Sequence, residues 1–317
     1  MLVAGLAVVA AAIGGAAAQR PSNTSICDYY TTALLKDNTA ENQATLLTLV
    51  VNTAVIGNYT KPNVGIKVDG ILAKGQYNGT DVNLAPYFSG GLASSNRGGS
   101  AGVAVNFLDD GGAAPLMKNM PAEGTDSNQY KLLTHLYTYF GVLLGCSQQG
   151  KSGFDAYTGA GSQYKVHKFM DLDAYEVGYF ITQVGTSAAS FGVTEDDVTA
   201  VGMALSSTFG YRCSPPATVV PSQGDQLQSI CTAENCPLSP NATCSAEDNN
   251  GVGMEPKPAN STSNSTSSPT SSGSSASGSA SSTGGSAPIE TGSGAGMLTA
   301  SISGLTAVVA SLFALAL

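Results

Sequence analysis

Apolar residues recur at three- and four-residue steps in four stretches of the chain, and each stretch is bounded by a capping residue or a glycine. The first comes after Asn38-Thr39-Ala40-Glu41, a cap with a carboxylate three residues on, and carries Leu46, Leu49, Val50 and Thr53 as one stripe before Gly57. That spacing predicts a helix. Residues 130–145, YKLLTHLYTYFGVLLG, put Leu132, Leu136, Tyr139, Phe140 and Leu143 on one face and stop at Gly145. Asp173-Ala-Tyr-Glu176 has the form of a capping box and opens a third helix to about Phe191, closed by Gly192. Thr194-Glu-Asp-Asp197 opens a fourth, in which Val198, Val201, Leu205 and Phe209 repeat until Gly210. Residues 57–125 break the pattern with thirteen glycines and turns such as Tyr77-Asn78-Gly79-Thr80, Asn96-Arg97-Gly98-Gly99 and Asp109-Asp110-Gly111-Gly112. This part reads as loop with short strands at 65–72 and 103–108. The domain it interrupts is mostly α.

Both ends carry a different pattern. Residues 1–18 are an apolar run ending on Ala16-Ala17-Ala18, the small residues of a signal-peptidase site, so cleavage is expected after Ala18. Residues 251–296, from Glu255 almost wholly Ser, Thr, Gly, Ala and Pro, bury too little apolar surface to offset chain entropy and read as a disordered stalk. Residues 297–317, MLTASISGLTAVVASLFALAL, form an uncharged apolar tail without the flanking charge of a membrane span. Behind Gly284-Gly285-Ser286 and a polar spacer, that tail matches a glycosylphosphatidylinositol signal with attachment at Gly284. A secreted protein held at the outer leaflet of the plasma membrane or in the cell wall is expected, with cell-wall polysaccharide a further partner suggested by location alone.

Charge and cysteine sharpen this picture. The 317 residues hold 13 Lys and Arg against 22 Asp and Glu, a net charge of −9, and the cations are scattered. Nucleic acid is excluded, since phosphate binding needs a clustered basic face. Six sequons, at Asn23, Asn58, Asn78, Asn241, Asn260 and Asn264, fit a secreted glycoprotein. Six cysteines, Cys27, Cys146, Cys213, Cys231, Cys236 and Cys244, predict three disulfides, and their spacing leaves all fifteen pairings open. Cys231, Cys236 and Cys244 have no histidine nearby, which argues against zinc. The main domain then spans 19–213, and 214–250 is a disulfide-rich extension.

Three constellations bear on chemistry. Gly145-Cys-Ser-Gln-Gln-Gly150-Lys151-Ser152 satisfies the phosphate-loop pattern, but an amphipathic helix precedes it where a strand is required. Asp109-Asp110 and Asp171/Asp173 could serve a glycosidase, yet such clefts use aromatic platforms and the chain has no Trp; a turn and helix caps explain them better. No nucleophile elbow is present, and there are only two histidines. His135 falls ~60° from Leu132 on its helix, at the rim of the apolar stripe. His167, in Ser162-Gln-Tyr-Lys-Val-His167-Lys-Phe-Met170, is placed to be an axial iron ligand if an apolar pocket faces it.

These residues resemble the truncated haemoglobins, the short two-over-two helical globins. The order Tyr139-Phe140-Gly-Val-Leu-Leu144-Gly145-Cys146, Tyr157-Thr158-Gly159, Val166-His167 and Phe191-Gly192-Val193-Thr194 matches the family's distal helix, turn, proximal histidine and last helix pair. Leu84-Ala-Pro-Tyr87-Phe88-Ser89-Gly90 looks like its haem-packing corner. The resemblance covers residues 84–91 and 130–210, and more loosely 27–57. It implies haem held by His167 as metal ligand, with Phe88, Leu132, Leu136, Phe140 and Val166 as apolar walls, His135 near a propionate, and a small diatomic or redox ligand. It also shows departures: Thr53, Ala54 and Val55 stand where the family carries a ligand-bonding tyrosine, and Leu136 replaces a polar distal residue. Long insertions occupy 91–126 and 147–155. The expectation is therefore a truncated globin-like fold with Gly-rich insertions, its alternative a haem-free structural or adhesive protein on the same fold.

Overall fold

The computed structural model describes residues 19–60 and 64–259. The expected signal peptide, Asn260, Asn264, Gly284, most of the stalk and the apolar tail lie outside them. The described part is mostly helical: α1 (Ile26–Leu35), α2 (Ala40–Ile56), a hairpin β1 (Gly75–Tyr77) and β2 (Thr80–Val82), α3 (Ala85–Ser89), α4 (Ala113–Leu116), α5 (Asn128–Leu143), α6 (Gln163–His167), α7 (Ala174–Ser190) and α8 (Glu195–Phe209).

The helix starts obey their caps. Thr39, Ser127, Asp173 and Thr194 each accept a hydrogen bond from a backbone N–H of the first turn, and Asp173 with Glu176 forms a full capping box. The carboxyl of Asp109 takes the N–H groups of Asn128 and Gln129 at the start of α5, so this acid acts as a second cap.

Helix α2 is the centre of the core. Leu46, Leu47, Val50, Val51, Ala54 and Val55 are all buried, because α1, α5 and α7 pack around it. Helices α7 and α8 form a second pair. The crossing of α2 and α7 is close enough for Ser187 Oγ to donate to the Val50 carbonyl at 2.6 Å. Asn52, fully buried inside this core, is matched on both sides: it donates to the Leu116 carbonyl and accepts from Tyr137 Oη at 2.6 Å.

Two expectations need correction. The strands expected at 65–72 and 103–108 do not form. Ile71 and Leu72 instead donate to Ala54 and Val55, whose carbonyls at the end of α2 have no helical partner. Val103 makes only an isolated bridge to Ser95, and Phe107 N donates to the Phe88 carbonyl. The strands form one segment on, around Asn78-Gly79, where both residues have positive φ as a two-residue hairpin turn requires. That hairpin seats on α7, with the Tyr77 ring over Gly178 and the Tyr179 ring against Gly75.

The buried face of α5 also departs in part from the expected stripe, of which Tyr139 and Phe140 are buried. Gln129, Leu133, Tyr137 and Phe140 are buried, whereas Leu132 and Leu136 are half-buried. The reason is polar: Gln129 and Tyr137 find buried partners, and an apolarity count scores both residues as outside positions. Gln129 accepts from Asp110 and Gly112 and donates to the Gly112 and Pro121 carbonyls, which organises that loop.

Disulfides join Cys27 to Cys146, Cys213 to Cys244 and Cys231 to Cys236. The first ties α1 to the end of α5, and the second ties the end of the α8 region to the extension. Residues 257–259 run back along the domain: Ala93 N donates to Lys257 O and Ala259 N to Gly91 O. Among the described residues no helix is long and apolar enough to cross a membrane.

Candidate functional site

Helix α6 is a single capped turn of five residues, started by Ser162, whose hydroxyl accepts from Lys165 N. The extension holds it from behind: Ser162 Oγ donates to the Leu227 carbonyl, and Gln228 Nε2 donates to the Gly161 carbonyl at 2.9 Å. His167 lies at its end, half-buried. Its Nδ1 is 2.8 Å from the carbonyl oxygen of Gln163, one turn back. A carbonyl only accepts, so Nδ1 carries the proton and Nε2 keeps its lone pair. Burial holds this imidazole below the usual histidine range, against a smaller opposing effect of the Gln163 bond. His167 is thus a neutral, oriented nitrogen donor.

The other expected residues divide into two groups. Phe88, Leu132 and Leu136 are half-buried and pack against the main core, and Phe140 is buried within it. Val166 is half-buried and stands apart from that cluster. His135 is exposed on α5, its ring 6.0 Å from Tyr157, and partial burial with the charge of Arg97 lowers its basicity.

Segment 96–107 connects these elements. Asn96 Nδ2 donates to the Lys165 carbonyl of α6, Arg97 donates to Asn128 at the start of α5, and Phe107 is bonded to Phe88 of α3. The Arg97 guanidinium lies 5.4 Å from the Phe107 ring centre. The Arg97 guanidinium therefore sits among the three elements that carry Phe88, His135 and His167. In the sequence Asn96-Arg97-Gly98-Gly99 reads as a turn only; the signal that could have found Arg97 is its rarity, as one of 13 cationic residues in an acidic chain.

Among the buried hydroxyls without a hydrogen-bond partner are one on α2 and one on α5. Thr53 Oγ1 on α2 is one, at the position where the resemblance expects a ligand-bonding tyrosine. Tyr139 Oη is the other, its ring 5.1 Å from Tyr157 and 6.4 Å from Phe209.

The remaining motifs resolve simply. Lys151 of the phosphate-loop pattern bonds Gln148 Oε1 and pairs with Phe154 in a tight turn; no helix leaves the loop, so the anion-binding geometry is not built. Asp109 and Asp173 are caps, and Asp110 accepts from Gly124 N. Asn23, Asn58, Asn78 and Asn241 are all exposed, as acceptors for glycan must be. Among the described residues no three His, Cys, Asp or Glu side chains converge as a metal site, which bears on polydentate centres and leaves a one-histidine ligand untouched. Comparison with protein-family models, with curated proteins and with solved structures finds no match for this chain.

Proposed function

We propose that this is a globin-like, haem-binding protein of the outer cell surface, in which His167 would hold the iron and a small diatomic or redox-active molecule would be the ligand. The observation that carries the reading is the 2.8 Å bond from His167 Nδ1 to the Gln163 carbonyl, which leaves Nε2 as a neutral donor of fixed direction. Helical pairing supports it, since α2 with α5 and α7 with α8 make two pairs that meet where α2 crosses α7.

The donor chemistry fits the group. Haem would supply an iron centre for small-ligand binding or one-electron exchange. Arg97 offers a cation to an acidic edge, and His135 stands exposed on the rim beside it. Val166, Leu132, Leu136, Phe88 and Phe140 would be the apolar residues that hold the group. Phe88, Leu132 and Leu136 pack on the core, so holding the group would require these half-buried side chains to turn aside. The buried, unpartnered hydroxyl of Thr53 stands where the resemblance expects a tyrosine. The apolar start, the Ser/Thr-rich stalk and the apolar tail support secretion and lipid anchoring at Gly284.

Full-length protein from an oxidising host supplied with haem is expected to show a Soret band that His167→Ala abolishes; no band after reconstitution rejects haem. The same core packing of Phe88, Leu132 and Leu136 favours a second reading, a haem-free structural or adhesive module, which that blank spectrum would support. For the anchor, a phosphatidylinositol-specific phospholipase is expected to release the protein from intact cells; a mature chain that retains 297–317 overturns it.

A further inference from the structure

Of the three disulfides, two have both cysteines buried: Cys27 and Cys146 are 1% and 9% exposed, Cys231 and Cys236 0% and 4%. The third is asymmetric. Cys213 is fully buried, whereas Cys244 is half-buried at the head of the turn Cys244–Ala246. Cys213 also holds φ at +60°, a left-handed backbone that costs a residue with a Cβ roughly 1–3 kcal/mol. Asn249 and Asn250, just beyond the partner cysteine, are left-handed too.

Beside the buried sulfur lies a carboxyl group with no other evident task. Glu247 is 5% exposed, and neither of its oxygens has a hydrogen-bond partner of good geometry among the described residues. A Cβ built on Gly251 would lie 2.4 Å from Cys213 Sγ and 3.3 Å from Glu247 Oε2, so sulfur and carboxyl oxygen flank one point, less than 6 Å apart. Burial raises the affinity of Glu247 for its proton, with the nearby Ser229 hydroxyl, the Cys213 backbone and Arg212 opposing; Tyr164 and the Lys168–Asp248 ion pair line the same cavity. That cavity, of about 50 Å³ and lined also by Thr232 and Gly251, has room for water, which can return a proton to the acid.

The same turn grips α6. Asp248 N donates to Tyr164 Oη at 2.8 Å, and Asp248 is paired with Lys168. The disulfide anchors this grip to the end of the α8 region.

We propose that Cys213–Cys244 is an exchangeable disulfide, opened by a small thiol or dithiol through attack at Cys244, with Glu247 protonating Cys213 as it leaves. The incoming thiolate forms a bond to Cys244 Sγ while the bond to Cys213 Sγ breaks. Its electron pair stays on Cys213, which takes the Glu247 proton and becomes a thiol. A second thiolate equivalent displaces Cys244 from the mixed disulfide. Two thiols are oxidised to one disulfide, and the protein gains two thiols. Opening relaxes the left-handed turn and frees α6 from the 244–251 clamp. This reading stands on the disulfide and the acid alone, independent of haem.

The test uses folded full-length protein, dithiothreitol or glutathione, alkylation and peptide mapping. Cys213 and Cys244 are expected to be alkylated first, more than tenfold ahead of the other four, with the glutathione adduct on Cys244. Rates divided by thiolate concentration are expected to rise toward acid pH, and Glu247→Gln should flatten that profile and slow opening about 100-fold. Amide exchange should then quicken across 163–168. Opening of all three bonds together, an adduct on Cys213, or an unchanged profile in a Glu247→Gln protein of native thermal midpoint would each overturn the proposal.

Discussion

A neutral imidazole is a pH-dependent component of stability as well as a ligand. Burial depresses the folded-state pKa of His167 below its usual 6.5, so the unfolded chain takes up its proton first as pH falls. The stability tied to this residue is fully present above pH 6.5 and is lost as pH drops below it toward the folded value. Urea midpoints measured from pH 7.5 to 5.5 should therefore fall less steeply in His167→Asn than in the native chain. Equal slopes would show that the imidazole is as free to protonate in the fold as out of it. Single residues were legible here where chemistry is rare: two histidines in 317 residues leave few candidates. Glu247 and Arg97 were not, because a buried carboxyl and a positioned cation look like any other charged residue until burial is known.

At the scale of elements, local rules carried furthest. Caps at Thr39, Asp173 and Thr194 and stops at Gly57, Gly192 and Gly210 depend on neighbours within one helical turn, and three of the four long helices arise from them. Pairing with residues far along the chain was not legible. Residues 65–72 carry strand-like composition, yet α2 ends with open carbonyls beside them and takes their N–H groups instead. That contact is tight. Gly70 has φ +83°, and a Cβ there would sit 2.3 Å from Gly57 N. Gly70→Ala is expected to cost about 3 kcal/mol, from backbone strain and overpacking together. A chemical-denaturation midpoint within error of the native one would mean the two segments separate freely.

Across the whole molecule, the cysteine count indicated three bonds but no pairing, since pairing is set by which ends meet in space. The helical class was legible from periodicity. The arrangement of helices was not legible from periodicity, and the resemblance that suggested one finds no match in the comparisons. The long disulfide has a mechanical consequence. Cys27 and Cys146 are 119 residues apart in sequence, so a pull applied to the two ends of the domain bypasses everything between them. About 400 Å of potential contour length is removed from the stretched chain. Pulled by its ends, the domain would lengthen chiefly through residues 147–212, which carry α6, α7 and α8. The Cys213–Cys244 bond withholds a further ~100 Å, and a thiol could release it.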